Sequence, residues 1–551
     1  MSAEPVLAIE GLSLGLRSAG WRPLLQDLSL EVAEGETVCL VGESGSGKSL
    51  TALATMGLLS PSIQVRGGSI RIDGRSVLDA GPSAMRRMRA SSMGMIFQEP
   101  MTALNPVVTV GAQIDEVLVI HGRQSKRERR AEVLQVLESV NLPDPAAIYD
   151  AYPHQLSGGQ RQRAMIAMAL VLKPRILIAD EPTTALDVTT QRQILSLIKA
   201  LQTRNRMGVL FITHDMGVVA DIADRVIVLR NGSTVEQGPV AQILRAPAAD
   251  YTRELLQSVP SLIPAAQRPS VDTKPVLEVS GLSKHYGGRG IFAARRKVAA
   301  AVDIGFAIQP GRTLGIVGES GSGKSTVARC VMRLLKPDTG RVLVAGEDIA
   351  QRPEGSLHDM RRHIQLVFQD PFRSLNPRIP VGQSVVEGLV NYGADRAAAL
   401  DEARALLDRV GLPADAVNRY PHEFSGGQRQ RIAIARALAL SPQIIVADEA
   451  VSALDVVVQK QVLDLLRTLQ DDLGIAMLFI THDLRVAAQV CDDILVMQSG
   501  RAVEFGPAAE ILRRPRHRYT SELIEAAPGR HWDFARFQPV GSGDALPEHR
   551  A

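Results

Sequence analysis

The sequence predicts an α/β protein that carries the same domain twice. The stretch VGESGSGKS occurs at 41–49 and again, letter for letter, at 317–325. Short apolar runs such as ETVCLVG, RILIAD and GVLFIT have the length and composition of buried parallel strands, and the helix-like segment GKSLTALATMGLL follows the first of them. A repeated loop between a strand and a helix therefore indicates two copies of one α/β unit.

Further repeats indicate that a whole domain was duplicated. LSGGQRQR at 156–163 returns as FSGGQRQR at 424–431, and LFITHD at 210–215 returns at 478–483. The two copies of each motif lie 268 to 276 residues apart, so the repeating unit is a domain of roughly 260 residues, which excludes a short solenoid repeat. Composition and spacing predict a first domain with a C-terminal extension, a loose linker rich in Pro, Ser and Ala, a second domain with its extension, and an irregular tail, at 1–257, 258–275, 276–528 and 529–551.

Helical, charged sequence interrupts the strand pattern of the first copy. Between Gln98 and Ser157 the chain contains segments such as SKRERRAEVLQVLESV, which predict a helical subdomain inserted into the α/β core. We interpret the basic run Lys126–Arg130 as a solvated helix face rather than a binding patch.

Bulk composition narrows the class of protein. The 551 residues are 45% hydrophobic and 22% charged with a formal net charge of +3, which is ordinary for a globular protein and gives no reason to expect nucleic acid as a partner. The N-terminus lacks the features of a signal peptide, and no window approaches the roughly 20 apolar residues of a membrane span. Cys39, Cys330 and Cys491 form no CxxC pair, which argues against a metal or disulfide framework.

The repeated loop fits the P-loop pattern G-x-x-x-x-G-K-[ST]. Glycines let backbone N–H groups close around phosphate oxygens, and the helix N-terminus adds partial positive charge. We expect Lys48 and Lys324 to reach the β- and γ-phosphates, and Ser49 and Ser325 to offer a hydroxyl to Mg²⁺. A plain glycine turn is the alternative, and two matches in the strand–loop–helix context argue against it. The predicted ATP-binding residues of the two loops are Gly42, Glu43, Ser44, Gly45, Ser46, Gly47, Lys48 and Ser49, and Gly318, Glu319, Ser320, Gly321, Ser322, Gly323, Lys324, Ser325 and Thr326.

A second motif, a buried strand that ends in Asp-Glu, also occurs twice. Asp180 and Asp448 are well placed at a strand end to hold Mg²⁺ through water. Glu181 and Glu449 can orient the attacking water, and we expect positioning to matter more than basicity because the unperturbed glutamate pKa of about 4.3 makes it a weak base. The alternative is a structural carboxylate pair near a helix N-terminus.

The order of the motifs resembles the nucleotide-binding domains of ABC ATPases. The P-loop, Gln98 or Gln369, SGGQ, ADE, ALD and His214 or His482 follow one another in that order in both copies. The resemblance covers about 8–255 and 276–525. It implies two P-loop NTPase domains, each with a RecA-like core, an antiparallel β part and an inserted helical subdomain.

The resemblance also implies residue roles. Gln98 and Gln369 match the glutamine that contacts Mg²⁺ or water, and His214 and His482 match the histidine at the γ-phosphate, although each histidine alone would more simply be structural. The signature motif residues and the D-loops correspond to Ser157, Gly158, Gly159 and Gln160, to Ser425, Gly426, Gly427 and Gln428, and to Ala185–Asp187 and Ala453–Asp455.

Duplication itself is explained by the family's arrangement, in which two domains pair head to tail. Each ATP lies on one P-loop and is closed by the other copy's signature motif, so the resemblance implies two composite sites formed by intramolecular pairing. The family usually stacks adenine on an aromatic side chain ahead of the P-loop; Tyr286 fits that role in copy two, whereas copy one has Leu16, with Trp21 as a substitute.

Several local sequence segments resemble those of the ATPases of bacterial dipeptide, oligopeptide and nickel importers. FQEPMTALNP, FQDPFRSLNP, YPHQLSGGQRQR and the extensions DYTRELLQSVP and RYTSELIEAAP carry this resemblance. It implies two permease partners, which would contact Glu99–Pro106 and Asp370–Pro377, an external solute-binding protein, and a peripheral position on the cytoplasmic face of the inner membrane. Relatives often carry a four-cysteine cluster motif after each core; 230–275 and 499–551 contain no cysteine, so we expect no iron–sulfur cluster. A tandem ABC ATPase acting on the ribosome is the alternative. The resemblance implies peptides or related small solutes as the transported class, and nickel, opines, glutathione and sugars stay open.

Overall fold

The computed structural model describes residues 4–18, 20–98, 103–122, 125–184, 186–265, 268, 273–287 and 298–540. These residues fold as two compact units. Unit 1 consists of the chain up to Val259 together with His531–Val540, and unit 2 consists of Pro260–Arg530.

Unit 1 contains a four-stranded antiparallel sheet and a six-stranded sheet. The strands are β1 (Leu7–Ser18), β2 (Gly20–Val32), β3 (Thr37–Val41), β4 (Ile63–Ile72), β5 (Arg75–Ser76), β6 (Met93–Ile96), β7 (Ile176–Asp180), β8 (Gly208–Thr213), β9 (Arg225–Arg230) and β10 (Ser233–Pro239). The antiparallel sheet has the order β2-β1-β4-β5. The larger sheet has the order β10-β9-β3-β8-β7-β6 and is parallel except for β10.

Helices of unit 1 cover the larger sheet and build the insertion between β6 and β7. They are α1 (Lys48–Thr55), α2 (Pro82–Ser91), α3 (Val110–His121), α4 (Lys126–Ser139), α5 (Pro145–Asp150), α6 (Gly158–Leu170), α7 (Val188–Asn205), α8 (Met216–Ile222), α9 (Val240–Arg245) and α10 (Asp250–Gln257), with a 3₁₀ turn at Pro153–Gln155. The insertion, α3 to α6, is the helical subdomain that the sequence predicts.

Unit 2 repeats the same two sheets. Its strands are β11 (Leu277–Tyr286), β12 (Val298–Ile308), β13 (Thr313–Val317), β14 (Thr339–Val344), β15 (Glu347–Asp348), β16 (Ile364–Val367), β17 (Ile444–Asp448), β18 (Ala476–Ile480), β19 (Asp493–Gln498) and β20 (Arg501–Pro507). The antiparallel sheet has the order β12-β11-β14-β15, and the larger sheet the order β16-β17-β18-β13-β19-β20, with β20 antiparallel to β19.

Helices of unit 2 follow the same plan. They are α11 (Lys324–Val331), α12 (Met360–His363), α13 (Pro371–Ser374), α14 (Val381–Asn391), α15 (Arg396–Arg409), α16 (Gly426–Leu438), α17 (Val456–Leu473), α18 (Leu484–Val490), α19 (Ala508–Arg513) and α20 (Arg518–Ala526), with 3₁₀ turns at Glu354–Leu357, Ala414–Asn418 and Pro421–Glu423. In the described part of the chain, none of the helices combines the length and apolarity that a bilayer crossing requires.

The central strands of each unit are buried on both faces because helices or the second sheet cover them. Every residue of β3, β8 and β13 is buried, and Phe211 on β8 and Phe479 on β18 are fully enclosed. This explains why the sequence shows continuous apolar runs there rather than alternation. The α/β prediction with an antiparallel part and a helical insertion is confirmed.

The structure describes parts of the predicted linker and tail. Within 258–275, the backbone N–H of Ala265 donates to Ala488 O at 2.9 Å, and Arg268 pairs with Asp471 and Asp492; these polar contacts hold Ala265 and Arg268 on other residues of unit 2. In the tail, 541–551 lies outside the described residues. The part before it forms β21 (Trp532–Asp533) paired with β22 (Gln538–Pro539), and Phe534 between these strands is buried.

Candidate ATP site

Each P-loop joins the end of a central strand to the start of a helix. In unit 1 the loop connects β3 to α1, and in unit 2 it connects β13 to α11. Gly42 and Gly318 have φ values of 149° and 148°, and a Cβ built on either would lie 2.2 Å from a backbone carbonyl oxygen of the neighbouring strand. Only glycine fits these two positions, which is why the loop can close so tightly.

The P-loop lysine lies over the loop's own carbonyl groups. Lys48 Nζ donates to Gly42 O and Glu43 O, both at 2.8 Å. Lys324 Nζ makes the same bonds to the first two residues of its loop, at 2.7 and 2.8 Å. Both lysines are buried, so each ammonium group is fixed at the mouth of its loop.

The Asp-Glu motif meets the P-loop serine at the end of β7. Ser49 Oγ donates to Asp180 Oδ1 at 3.0 Å, and Ser325 Oγ donates to Asp448 Oδ1 at 3.1 Å in unit 2. Two hard oxygen donors thus lie side by side in each unit.

The glutamate after each strand has a strained backbone. Glu181 and Glu449 adopt left-handed φ values of 45° and 49°, which are rare for residues with a side chain and cost about 1–3 kcal/mol. The N–H of Glu181 donates to Ile212 O at 2.9 Å, and that of Glu449 to Ile480 O at 2.9 Å. Both copies of the motif therefore share the same strained backbone at this glutamate.

The glutamine and histidine motifs converge on this glutamate. In unit 1, Gln98 Nε2 donates to Glu181 Oε2 at 3.0 Å and His214 Nδ1 lies 3.1 Å from Glu181 Oε1. In unit 2, Gln369 Nε2 donates to Glu449 Oε2 at 2.9 Å, and His482 Nδ1 lies 3.4 Å from Glu449 Oε1. The structure therefore brings the P-loop serine, the aspartate, the glutamate, the glutamine and the histidine of each copy together, as the motif order predicts.

A further hydroxyl distinguishes the two copies. Thr184 Oγ1 donates to Glu181 Oε2 at 3.0 Å, whereas Ser452 Oγ donates to the backbone carbonyl of Glu449 at 3.0 Å. Thr184 was not among the site residues predicted from the sequence. Three residues after the aspartate, copy one reads TT where copy two reads VS. This difference is the sequence signal that could have pointed to Thr184.

Burial and these contacts shift the ionisation of the acidic pair. Burial raises the pKa of Asp180 to about 6, against the hydrogen bond from Ser49. Burial also opposes ionisation of Glu181, but hydrogen bonds from His214 and Thr184 and the charge of the imidazolium lower its pKa to about 2. Burial alone would lower the pKa of His214, and the Glu181 carboxylate outweighs it and raises that pKa.

The directions of the shifts are the same in unit 2. The pKa of Asp448 is raised by burial, that of Glu449 is lowered by its bond with the histidine against the effect of burial, and that of His482 is raised by the carboxylate against the effect of burial. An ionised glutamate with so low a pKa is a weak base. It can orient a water molecule better than it can take a proton from one.

Signature residues cap their own helices. Ser157 Oγ accepts from Gln160 N at 3.2 Å while Gln160 Oε1 accepts from Ser157 N at 2.9 Å; Ser425 and Gln428 form the same box at 3.3 and 3.0 Å. Among the described residues, the hydrogen bonds of these serines stay within their own turn and do not reach the acidic cluster of the same unit.

The loops fit a bound nucleotide. Ser46 Oγ and Ser322 Oγ are buried without a hydrogen-bond partner among the described residues. A Cβ added at Gly45 or Gly321 would meet nothing within 4 Å, so the loop presents its backbone to open space there. The adjacent serine hydroxyl and aspartate are donors that Mg²⁺ prefers, and the residue set therefore fits both phosphate and a hard cation.

The residues proposed for adenine and for the permeases are placed only in part. Tyr286 ends β11 and is 42% exposed. The ring of Trp21 is covered by Arg66, with Cζ 4.3 Å from the ring centroid. Ala185 of the first D-loop and 99–102 of the segment Glu99–Pro106 lie outside the described residues.

All three cysteines are buried and form no disulfide. Burial raises the pKa of the Cys39, Cys330 and Cys491 thiols, which leaves them protonated at neutral pH.

Both halves of the chain are similar to known proteins. The family model described as "ABC transporter" matches 25–184 and 302–452, and the model "Oligopeptide/dipeptide transporter, C-terminal region" matches 235–299 and 503–536. The "Glutathione import ATP-binding protein GsiA" of Salmonella choleraesuis (strain SC-B67) is 48% identical over 562 residues, which cover 96% of this chain and 90% of that protein. The protein of the same name from Escherichia coli O157:H7 is 46% identical over 587 residues, covering 100% of this chain and 94% of that one. Among solved structures, the dimeric bacterial ABC transporter cassette MJ0796 is 30% identical, with a TM-score of 0.39, and covers 42% of this chain and 98% of its own.

These matches span nearly the whole chain and both of its halves. They contain ATP-binding cassettes, and the full-length relatives carry import in their names, which does not support the ribosomal alternative. An ATP-binding subunit of an import system implies membrane permeases as its partners. The chain belongs to the ABC transporter family, as a tandem ATP-hydrolysing, ATP-binding subunit of an import system.

Proposed function

We propose that this chain drives uptake of glutathione or a related short peptide by hydrolysing ATP at two composite sites. The observation that carries the proposal is the repeated cluster of Ser49, Asp180, Glu181, Gln98 and His214, matched in unit 2 by Ser325, Asp448, Glu449, Gln369 and His482. The names of the full-length relatives support glutathione as the solute.

The residues of each cluster divide the work. Lys48 and the P-loop backbone bind the phosphates, Ser49 and Asp180 hold Mg²⁺, and Glu181 orients water, with Gln98 and His214 fixing the carboxylate. When bound, Mg²⁺ supplies positive charge that offsets the charge on the phosphates. The same roles in the second site belong to Lys324, Ser325, Asp448, Glu449, Gln369 and His482.

The presence of two ATPase units in one chain is expected if each ATP site requires residues from both units. We propose that site one is closed by Ser425 and Gly427, and site two by Ser157 and Gly159, whose helix N-termini favour an anionic phosphate. Fusion raises the effective concentration of each half for the other to the order of mM. Closure on ATP and opening after hydrolysis would then move the permeases.

ATPase measurements on single variants test the two-site mechanism. Glu181→Gln and Glu449→Gln should each reduce turnover at the affected site by on the order of 10²–10⁴, because the amide cannot orient water as the carboxylate does. Full ATPase activity in either single variant would refute two equivalent sites.

Uptake measurements test the solute and the partners. Cells lacking this chain should regain uptake of radiolabelled glutathione with the wild-type chain and not with the Glu181→Gln/Glu449→Gln chain; restored uptake of nickel or a dipeptide without glutathione would redirect the solute. The same double variant with ATP should retain, from detergent-solubilised membranes, two permease subunits and a periplasmic solute-binding protein. That result would support a peripheral position on the cytoplasmic face of the inner membrane. Purified chain should contain no iron in cluster stoichiometry.

A further inference from the structure

Each C-terminal extension places a tyrosine hydroxyl on the P-loop of its own unit. The backbone N–H of Glu43 donates to Tyr251 Oη at 3.2 Å, and the backbone N–H of Glu319 donates to Tyr519 Oη at 3.0 Å. Tyr251 lies on α10 and Tyr519 on α20, and both are only 4% exposed. The same contact arises in two halves whose sequences differ, so the local fold produces it reproducibly.

The tyrosine acts on the residue that also binds the lysine. Glu43 donates its N–H to Tyr251, and its carbonyl oxygen accepts from Lys48 Nζ at 2.8 Å. In unit 2, Glu319 is held in the same way, with its carbonyl oxygen 2.8 Å from Lys324 Nζ. A single residue thus connects the extension to the phosphate-binding ammonium group through two hydrogen bonds.

The helix that carries the tyrosine is itself anchored. The Glu236 carboxylate on β10 accepts from the N–H groups of Ala248 and Ala249 at 2.8 and 3.0 Å, just ahead of α10. Glu504 on β20 accepts from Arg516 and His517 N–H at 2.8 and 3.2 Å ahead of α20. These carboxylates fix the start of each helix and so limit where the tyrosine hydroxyl can lie.

The Tyr251 hydroxyl is neutral in its surroundings. Burial, with the nearby Glu43 charge, raises the pKa of Tyr251 to about 12. The Arg230 guanidinium lies over its ring, with Cζ 4.5 Å from the centroid, and so holds the ring in place. A neutral phenol can accept from the Glu43 N–H throughout the physiological pH range.

We propose that Tyr251 and Tyr519 are positioning residues for ATP binding, which fix the P-loop residue that sets the lysine at the phosphates. The proposal rests on the ATP-binding function of the two P-loops. By this proposal, the C-terminal extension of each unit directly helps to form the nucleotide site of the same unit. Without the hydroxyl, the N–H of this P-loop residue loses its partner on the extension, and ATP must order the peptide on binding.

The test is the double variant Tyr251→Phe/Tyr519→Phe in the full chain. Phenylalanine keeps the ring and removes only the hydroxyl, so the loss of the hydrogen bond from the P-loop N–H should raise the KM for ATP by about 3- to 10-fold. We expect kcat to change less than twofold, and the thermal unfolding midpoint of the nucleotide-free chain to stay within a few degrees. Tyr392→Phe is a matched control, because its hydroxyl also bonds a backbone group, the carbonyl of His358, away from the P-loops.

Each outcome decides the matter. A raised KM with near-constant kcat, not reproduced by Tyr392→Phe, supports the proposal. An unchanged KM, a fall in kcat alone, or an equal KM rise in the control overturns it. If the wild-type chain itself neither binds nor hydrolyses ATP, the proposed function fails first; if the wild type does and the double variant matches it, only this inference fails.

Discussion

The two signature glycines of unit 1 should respond in opposite ways to alanine. A Cβ on Gly159 would lie 2.7 Å from Thr190 Cγ2, whereas a Cβ on Gly158 would meet only Leu186 Cδ2 at 4.0 Å, an ordinary contact. Threonine is stiff about χ1 and cannot easily give way, so Gly159→Ala should destabilise unit 1 by about 1–3 kcal/mol through overpacking. Gly158→Ala should be neutral or stabilising by up to about 1 kcal/mol, because alanine is the better helix former.

Activity should not follow stability in this pair. If the N-terminus of α6 closes a composite site as proposed, a methyl group on Gly158 would crowd the approaching phosphate, and ATPase turnover should fall about tenfold or more while the fold is as stable as before. Thermal unfolding of the nucleotide-free chain and ATPase rates at saturating ATP measure the two effects separately. Equal destabilisation by both variants would refute the packing argument, and full ATPase activity of Gly158→Ala would refute the assigned role of the signature. Gly427→Ala serves as a second packing test, since its Cβ would lie 2.1 Å from Val458 Cγ1.

Other predictions concern the loop and the acidic cluster. Gly42→Ala should abolish ATP binding, measured with a fluorescent ATP analogue, and destabilise unit 1 by about 3 kcal/mol or more, because its Cβ would overlap a backbone carbonyl in a conformation that favours glycine. Thr184→Ala should lower turnover about 2- to 10-fold by removing a hydrogen bond to the Glu181 carboxylate, whereas Ser452→Ala, whose hydroxyl bonds a backbone carbonyl, should change it less than twofold. The His214–Glu181 pair should stabilise the nucleotide-free chain most between pH 4.5 and 6.5, the ordinary values of its two groups. The contribution of the carboxylate, with its lowered pKa, is lost as pH falls toward about 2, and that of the imidazole, with its raised pKa, is lost as pH rises through the folded value. His214→Ala should therefore flatten the dependence of the unfolding midpoint on pH, and an unchanged profile would contradict the pairing.

The local motifs of the site could be predicted because the residues of each motif are close together in the sequence. Strand, glycine loop and helix are adjacent in sequence, so Lys48 and Ser49 could be placed at the start of the helix that follows the loop from their spacing alone. Asp180 could be brought to Ser49 because carboxyl ends of parallel strands meet at one edge of a sheet. The resemblance to a family added Gln98 and His214, whose roles no spacing alone would reveal.

Contacts made by a single hydroxyl between residues far apart in the sequence could not be predicted in the same way. Tyr251 lies 208 residues from Glu43, and in the sequence it is one of several residues on the buried face of an amphipathic helix. The different orientation of Thr184 and Ser452 depends on side-chain rotamers. The contacts of Ser261 and Arg268 depend on polar partners, Gln489 and Asp492, that lie far along the chain, whereas composition alone predicted a loose linker.

The pairing of β21 with β22 in the segment His531–Val540, which is grouped with unit 1, has a consequence for biosynthesis. Synthesis proceeds from the N-terminus, so the ribosome completes the chain up to Val259 roughly 270 residues before it delivers the last piece of the same unit. At about 5–20 residues per second this interval is roughly 15 to 55 seconds. During that time unit 1 exists without its final segment while unit 2 is made in between. A stop codon or a fused tag placed near residue 530 would therefore affect the half of the protein that was synthesised first.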